Sequence, residues 1–439
     1  MTLDKLYELF RANPVITTDS RDCPPDSIFF ALKGENFNGN QFAAMALDKG
    51  CRLAVVDEPQ CVATGDDRYW VVDDVLETLR ALARLHRRTL GTPMVGITGT
   101  NGKTTTKELV SAVLAQRYNV LYTQGNFNNE IGVPKTLLRL RPEHEIAVVE
   151  MGASHPGDIK RLVEIAEPDC GLITNVGRAH LQGFGSFEGV VSTKGELYEW
   201  LRGHRAPATV FIHAENEHLM AISHGLHLIK YGTDGQPDLD VTGQVLRCDP
   251  LLHFTWSHRG GHLHTVDTHL IGAYNVTNLL AAVAVGLHYH VDESLIDQAL
   301  AAYVPSNNRS QLEITGHNRL IVDAYNANPT SMHAALENFR YMEGTHKLAI
   351  LGEMRELGEV SAEEHQKTVD YLTDINRGLA EPIEVWLVGG EFETTRCAFR
   401  KFHDVEAVQA AIRAKRPEGH YILIKGSNGT RLFTLPELL

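Results

Sequence analysis

Apolar runs alternate with helical patterns from residue 94 onward. The run at 94–98 has the character of a buried strand, and residues 104–116 follow as a helix with leucine and valine side chains on one face. Further apolar runs occur at 146–150 and 172–175. Strands separated by helices predict a parallel sheet with helices on both faces.

The first 90 residues show a different mixture of patterns. Short strand-like runs lie at 28–32 and 53–56, and residues 75–88 have the period of a helix. A Gly-Thr-Pro sequence at 91–93 then breaks the chain. We therefore expect a separate mixed α/β unit before the central sheet.

After the central strands the pattern changes twice. Residues 206–272 are rich in strand-like runs, with a hairpin expected at 259–261, and we interpret them as a small β insert in the central unit. Residues 275–288 return to a helical pattern. Beyond Pro305, a strand followed by a loop is repeated at four places, which predicts a Rossmann-like parallel sheet. These strands are expected at 320–323, 348–352, 385–389 and 421–426.

Together these patterns predict an α/β protein of three domains. The expected boundaries are 1–91 for the mixed α/β domain, 92–305 for the central domain with its β insert, and 306–439 for the Rossmann-like domain. A length of 439 residues agrees with a typical domain size of about 150 residues.

Composition and charge exclude several functional classes. The chain has 41 basic and 55 acidic residues, a formal charge of −14, which is the wrong sign for a general nucleic-acid or membrane-surface binder. Its six cysteines form no C-x-x-C pair, which argues against a zinc ribbon and fits a reducing compartment. The N-terminus lacks the apolar block of a signal peptide, and no apolar run is long enough to cross a membrane. We therefore expect a cytoplasmic location.

The most specific chemical signal is the segment Gly-Thr-Asn-Gly-Lys-Thr at 99–104, here called the phosphate loop. Between a strand and a helix, its backbone N–H groups would face phosphate, with Lys103 adding charge and Thr104 a hydroxyl for magnesium. The usual G-x-x-x-x-G-K-[ST] spacing would place its first glycine at Ile97, so Gly99 and Gly102 must supply the tight turn. The strand and helix context argues against a chance glycine turn and predicts a central P-loop ATPase domain.

Other polar residues near predicted strands have ordinary structural explanations as well as functional ones. Glu150 ends an apolar strand, where it could be a magnesium ligand or a solvated carboxylate. A lone histidine such as His180 is more often packed or at the surface, and Lys194 has the position of an exposed helical lysine. The asparagine clusters at 126–129 and 326–328 suit either peptide binding or turns.

Taken together, these residues resemble the Mur ligase family, the ATP-dependent amide ligases of peptidoglycan precursor synthesis. The resemblance runs through essentially the whole chain, and several ordered matches are far harder to obtain by chance than one loop. The matching positions are 99–105, 149–152, 194–196, 272–278 and 323–328, with Thr174, Asn175, His180 and Arg309.

The resemblance implies ATP and Mg²⁺ as cofactors and suggests which residues bind them. The implied nucleotide contacts are Gly99, Thr100, Asn101, Gly102, Lys103, Thr104, Thr105, Asn275, Arg309 and Asp323. The implied magnesium ligands are Thr104, Glu150, His180 and Lys194, and the implied catalytic residues are Lys103, His180 and Lys194. Lys194 looks like the family's carbamylated lysine, and a carbamate would turn a cation into an oxygen ligand near the metal.

Three segments resemble the family members that add D-alanyl-D-alanine to UDP-N-acetylmuramoyl-tripeptide through an acyl phosphate, the final cytoplasmic amino-acid addition in this synthesis. They lie at 125–134, 325–329 and 351–359. The substrate contacts expected from them are Asn126, Asn128, Asn129, Tyr325, Asn326 and Asn328. The third residue of the peptide, lysine or diaminopimelate, is left open.

Near the N-terminus, residues 18–21 are similar to the uridine-nucleotide-binding segment of the same subgroup. Ser20 and Arg21 could hold a diphosphate there. The alternative for Arg21 is an ion pair at the surface or between domains.

Two other functions remain possible at this stage. One is another ligase of the superfamily, acting on a different muramoyl peptide or resembling folylpolyglutamate synthetase, although Thr104-Thr105 and the asparagine-rich segments speak against the latter. The other is a regulatory or transport P-loop NTPase, which would turn over ATP without an acceptor amine. We expect a monomer without a nucleic-acid partner, although the sequence leaves the oligomeric state open.

Overall fold

The computed structural model describes residues 2–34, 36–205, 207–233, 238–306 and 309–439. Its strands form sheets of four, nine and six strands, which follow one another along the chain, and one two-stranded hairpin. Three α/β units are therefore present, in the predicted order. The boundaries at 91/92 and 305/306 stay predictions.

The N-terminal sheet is parallel throughout, with the strand order β1-β2-β5-β6. The predicted helix at 75–88 forms and extends to Leu90, where Gly91 ends it with a positive φ of 65°. The elements are α1 (Leu3–Ala12), β1 (Ile16–Thr17), β2 (Ile28–Phe30), β3 (Lys33–Gly34), β4 (Phe37–Asn38), α2 (Ala43–Asp48), β5 (Leu53–Val56), β6 (Tyr69–Val71) and α3 (Val75–Leu90).

Helix α3 connects this unit to the central one. Arg87, only 4% exposed, donates hydrogen bonds to the carbonyl oxygens of Ala166 and Glu167 at 3.1 Å and pairs with Asp169 at 2.9 Å. Because a buried guanidinium needs several acceptors, these contacts hold the end of α3 against the central unit.

The central sheet has nine strands in the order β15-β14-β13-β12-β11-β10-β7-β9-β8. Its first elements are β7 (Met94–Thr98), α4 (Lys103–Leu114), β8 (Val120–Tyr122), α5 (Gly132–Leu137), β9 (Ile146–Glu150), α6 (Asp158–Ala166), β10 (Cys170–Ile173), α7 (Leu181–Phe184) and α8 (Phe187–His204). They are followed by β11 (Thr209–His213), α9 (Glu217–Ile222), β12 (His227–Thr233), β13 (Val241–Cys248), β14 (Leu251–His258), β15 (His264–Ile271), α10 (Val276–His288) and α11 (Glu293–Ala302).

The strands described within the β-rich region 206–272 extend this sheet and do not make a separate layer. Strands β11, β12 and β13 continue its parallel part, and β14 and β15 add an antiparallel edge. The predicted hairpin joins β14 to β15. Hydrophobic alternation marks a strand but does not reveal which sheet it joins, so the sequence could not show this continuity.

The C-terminal sheet contains all four predicted strands, and they are parallel to one another. Two further strands, β16 and β20, complete the order β16-β17-β21-β18-β19-β20. The elements are β16 (Gln311–Ile314), β17 (Arg319–Asp323), α12 (Pro329–Tyr341), β18 (Lys347–Gly352), α13 (Ser361–Arg377), β19 (Glu384–Val388), α14 (Gly390–Glu393), β20 (Arg400–Phe402), α15 (Val405–Ala414) and β21 (Tyr421–Lys425).

Apolar clusters cover both faces of the two larger sheets. One cluster runs from α1 and α3 onto one face of the central sheet, so the first two units share a core. The other face packs against α4, α10 and α11, and the C-terminal sheet has its own pair of clusters. None of the helices in the described ranges is long and apolar enough to cross a membrane.

The antiparallel edge of the central sheet holds a histidine between two carboxylates. His264 on β15 contacts Glu293 through Nε2 at 2.6 Å and Asp297 through Nδ1 at 2.7 Å, and its ring stacks on Trp256. Burial opposes protonation, but the hydrogen bonds to Asp297 and Glu293 outweigh it and raise the pKa of His264. The charged ring therefore ties β15 to α11.

This contact predicts a pH-dependent stability. A raised pKa in the folded state stabilises the protein below the unfolded value of about 6.5, and this contribution is lost as the pH rises through the folded pKa. We expect His264→Asn to lower the midpoint of thermal unfolding by about 2–4 °C at a pH of about 5.5 and by less at about 9. The exposed neighbour His262 supplies the control, and His262→Asn should change neither midpoint. An equal loss at both pH values in His264→Asn would contradict this account.

Candidate active site

A cavity of about 1080 Å³ lies where the carboxyl ends of the central and C-terminal parallel strands face each other. The central sheet contributes residues that follow β7, β9, β10 and β11, and the C-terminal sheet contributes the ends of β17 and β21. Ligands of open α/β sheets bind at this edge.

Most of the site residues predicted from the sequence line this cavity. They are Thr100, Asn101, Gly102, Lys103, Thr105, Asn126, Asn128, Asn129, Glu150, His180, Asn275, Arg309, Asp323, Tyr325 and Asn326. Four others each contact a lining residue and so lie just behind the wall. They are Gly99, Thr104, Lys194 and Asn328.

Ser20 and Arg21 lie elsewhere, in the loop between β1 and β2. The guanidinium of Arg21 forms two hydrogen bonds with Asp19, at 2.9 and 2.8 Å, and its side chain is 86% exposed. The surface ion pair considered as an alternative is therefore present, and the diphosphate contact stays a prediction.

The phosphate loop shows why its two glycines are needed. Gly99 has a φ of 142°, and a Cβ there would lie 2.0 Å from Oγ1 of Thr174. Gly102 precedes α4 with a φ of 77°, and its added Cβ would lie 2.7 Å from Oδ1 of Asn278. Ile97 is a buried strand residue, so the turn begins two residues later than in the usual spacing.

Thr174 and Asn175, which follow β10, support the phosphate loop through hydrogen bonds. The backbone N–H groups of Thr100 and Asn101 donate to the carbonyl and side-chain oxygens of Asn175, both at 2.9 Å. The hydroxyl of Thr174 donates to the carbonyl of Asn101 at 2.6 Å. Sequence matching noted Thr174 and Asn175 but gave them no role, and the structure shows that they support the loop.

The side chain of Lys103 folds back onto the start of the phosphate loop. Its Nζ donates to the carbonyl oxygens of Gly99 and Thr100, both at 2.9 Å. Burial lowers the pKa of Lys103 to about 8, and the neighbouring Glu150 opposes that shift. A positive charge therefore lies next to the N–H groups that open α4, where phosphate would be favoured.

Glu150 is the buried carboxylate of the site, with 1% exposure. Its Oε1 accepts hydrogen bonds from Nδ2 of Asn128 at 2.8 Å and from the hydroxyl of Thr104 at 3.3 Å. Oε2 is buried and has no hydrogen-bond partner among the described residues. Because an unpaired buried carboxylate oxygen is costly, this position calls for a cation.

These oxygens fit magnesium. Carboxylate and hydroxyl oxygens are hard ligands, and Mg²⁺ usually takes one or two carboxylates together with waters and substrate phosphates. No group of three His, Cys, Asp or Glu side chains in the described ranges could hold a metal by itself. Phosphate oxygens of a nucleotide would therefore have to complete the coordination.

Lys194 is not the exposed helical lysine that its position suggested. It is 2% exposed, its Nζ donates to the carbonyl of Ala153 at 3.4 Å, and it lies 5.3 Å from the ring centroid of Phe184. Burial first, and then the charge of Lys103, hold the pKa of Lys194 well below its ordinary value. The neutral amine that carbamylation requires is thus favoured.

The C-terminal unit supplies further charged groups to the cavity. Asp323 and Lys425 are opposite each other in the register of β17 and β21, and their side chains are 2.5 Å apart. The guanidinium carbon of Arg309 lies 4.1 Å from the ring centroid of Tyr325. Lys425 was missed as a site residue, because it meets Asp323 only where two strands far apart in the chain pair.

Polar contacts join the C-terminal unit to the central one beside the cavity. The side-chain amide of Asn328 donates to Oδ1 of Asn101 in the phosphate loop at 2.7 Å. Glu364 approaches Arg178 at 3.5 Å, and Glu356 pairs with Nδ1 of His180. Glu356 was also missed, because nothing in the 351–359 segment indicates which of its residues faces another domain.

The chain matches Mur ligase family models over most of its length. Residues 97–286 match the Mur ligase middle domain, 308–428 the Mur ligase glutamate ligase domain, and 15–87 the Mur ligase family catalytic domain.

Individual relatives agree with the family models. The UDP-N-acetylmuramoyl-tripeptide–D-alanyl-D-alanine ligase of Bacillus subtilis is 33% identical over 425 residues, which cover 95% of this chain and 91% of that protein. The solved structure of MurF from Acinetobacter baumannii is 30% identical with a TM-score of 0.83, covering 96% and 92% of the two chains. The MurF ligase of Thermotoga maritima in complex with ADP also has a TM-score of 0.83, at 26% identity and coverages of 97% and 96%. The three-domain α/β fold is thus confirmed, and the chain belongs to the Mur ligase family of ATP-dependent ligases.

Proposed function

We propose that this chain adds D-alanyl-D-alanine to UDP-N-acetylmuramoyl-tripeptide at the expense of ATP. The relative from Bacillus subtilis is named for this reaction and matches the chain nearly end to end. The observation that carries the proposal is the cluster of the half-buried Lys103 with the buried Glu150 and Lys194, at a cavity between two parallel sheets. Such a cluster suits phosphoryl transfer, which depends on positioning and charge neutralisation.

The family comparison also argues against the regulatory NTPase. A regulatory NTPase has no place for an acceptor amine, whereas the matched models are those of ligases. Asn126, Asn128 and Asn129 line the cavity from the central unit, and Tyr325 and Asn326 line it from the C-terminal unit. These amide and hydroxyl groups provide the paired donors and acceptors that peptide backbone and carboxylate require.

In the proposed reaction, the terminal carboxylate of the tripeptide attacks the γ-phosphorus of ATP and displaces ADP. The N–H groups that open α4, together with Lys103 and Arg309, would hold the phosphates and neutralise their charge. Thr104, Glu150, His180 and carbamylated Lys194 would hold Mg²⁺, which when bound supplies further charge neutralisation on phosphoryl oxygens.

The second half-reaction forms the amide bond. The amine of D-alanyl-D-alanine attacks the acyl phosphate carbonyl, the C–O bond to phosphate breaks, and the amine loses a proton. Asn328 and Asn101 join the two sides of the cavity. Contacts across the cavity would therefore hold the acceptor close to the activated carboxyl group.

The proposal also covers the UDP-binding loop, the domain boundaries, and the location and oligomeric state of the enzyme. Ser20 and Arg21 would bind the diphosphate of the UDP-linked substrate, with Arg21 exchanging Asp19 for phosphate oxygens. The domain boundaries would lie at 91/92 and 305/306, where closure around the substrates could take place. We further propose that the enzyme acts in the cytoplasm as a monomer.

The reaction can be tested by measuring phosphate release with the UDP-muramoyl tripeptide and D-alanyl-D-alanine supplied separately and together. Both substrates should be needed for sustained turnover, because the acyl phosphate must be consumed by the amine. Turnover that is indifferent to the dipeptide would contradict the ligase and favour an ordinary NTPase.

The proposed carbamate gives a second prediction. Lys194→Ala should lower the turnover by about 100-fold, as expected for loss of a metal-supporting group. Intact-mass measurement in bicarbonate should show added CO₂ in the parent chain and not in this variant. Lys107 is equally buried, but its Nζ contacts Glu108 and not a residue of the cavity lining, so it provides the matched control, and Lys107→Ala should retain the added mass. Full activity in Lys194→Ala would refute the carbamate.

A further inference from the structure

The loop between β18 and α13 reaches across the boundary between the C-terminal and central units. Its Glu356 pairs with Nδ1 of His180, and Glu364 at the start of α13 approaches Arg178 at 3.5 Å. Gly358, with a φ of 60°, comes so close to α7 that an added Cβ would lie 3.2 Å from Cβ of Gln182. The loop is therefore docked on the segment that carries His180.

The same loop is anchored firmly within its own unit. The backbone N–H of Met354 donates to Nε2 of the fully buried His365 at 2.9 Å, and Nδ1 of His365 donates to the carbonyl of Ser361 at 2.7 Å. The N–H of Arg355 donates to the hydroxyl of Ser427, just after β21, at 3.0 Å. These hydrogen bonds fix the position of Glu356 relative to the C-terminal unit.

The backbone is strained at both partners of the interdomain pair. His180 has a φ of 51° and Glu356 a φ of 64°, in the left-handed region that residues other than glycine rarely adopt. Strain of this kind persists where the surrounding structure imposes it, and it concentrates at functional sites.

Stability alone does not explain the pair. The side chain of Glu356 is 59% exposed and that of His180 is 28% exposed. Ion pairs with this much solvent contact add little to folding. What the contact does fix is the orientation of the imidazole, because it engages Nδ1 and leaves Nε2 for another ligand.

We propose that Glu356 is a positioning residue for His180, delivered by the C-terminal unit when the two units are docked. Its carboxylate lies against Nδ1 of His180 and so favours the tautomer that carries its proton there and leaves Nε2 free to bind a metal. Metal-binding histidines generally donate their second ring N–H to such an acceptor. The proposal rests on the metal role of His180 given under the proposed function, and it makes metal affinity depend on domain docking.

The test measures the binding of Mn²⁺ to the full chain in the presence of ADP. The concentration of free Mn²⁺ is read from its electron paramagnetic resonance signal. Glu356→Ala should weaken Mn²⁺ binding about tenfold. Glu356→Gln, which keeps an acceptor oxygen, should recover part of that loss. Glu363→Ala removes a carboxylate from the exposed face of α13 and should leave the affinity unchanged.

A double-mutant cycle separates positioning from a general electrostatic effect. If Glu356 acts through His180, Glu356→Ala should have no further effect in a His180→Ala background. An equal loss in both backgrounds, or normal Mn²⁺ affinity in Glu356→Ala, would overturn the inference while leaving the proposed metal site intact. A parent chain that binds no Mn²⁺ with ADP would overturn both. Thermal unfolding of each variant, with unchanged midpoints expected, shows that the binding losses do not come from misfolding.

Discussion

The site is built on ionisable groups, buried or half-buried, that their protein surroundings do not fully compensate. Glu150 has one carboxylate oxygen with no hydrogen-bond partner among the described residues, and Lys103 and Lys194 lie close enough for the first to depress the pKa of the second. Leaving such groups in a protein interior is costly unless a ligand of matching charge completes them. A nucleoside triphosphate with magnesium supplies anionic phosphates for the lysines and a cation for the carboxylate. This explains why one region holds all three residues.

Two parallel sheets make this arrangement possible. The central sheet places the phosphate loop after β7 and Glu150 at the end of β9, while the C-terminal sheet presents Asp323 and Lys425 from β17 and β21. Because the carboxyl ends of parallel strands share an edge, each sheet collects its polar residues without interrupting its apolar faces. The contact of Asn328 with Asn101 then joins the two edges at the phosphate loop.

Local sequence patterns predicted much of this site and could not predict the rest. The phosphate loop and the end of β9 were recognisable because strand, turn and helix signals lie next to each other in the chain. The burial of Lys194 was not recognisable from the sequence, because whether a helical residue is buried depends on which segments pack against that side of the helix. Glu356 and Lys425 become part of the site only through packing between distant segments. For the same reason, the β-rich residues 206–272 were recognised as strands but not as the continuation of the central sheet.

The central claim is that these ionisable groups serve phosphoryl transfer to a carboxylate. The most direct measurement follows oxygen atoms, using UDP-muramoyl tripeptide whose terminal carboxylate is labelled with ¹⁸O, together with ATP and D-alanyl-D-alanine. An acyl phosphate carries a carboxylate oxygen to phosphorus, so the account predicts one labelled oxygen in each phosphate released. Phosphate that contains no label would contradict it.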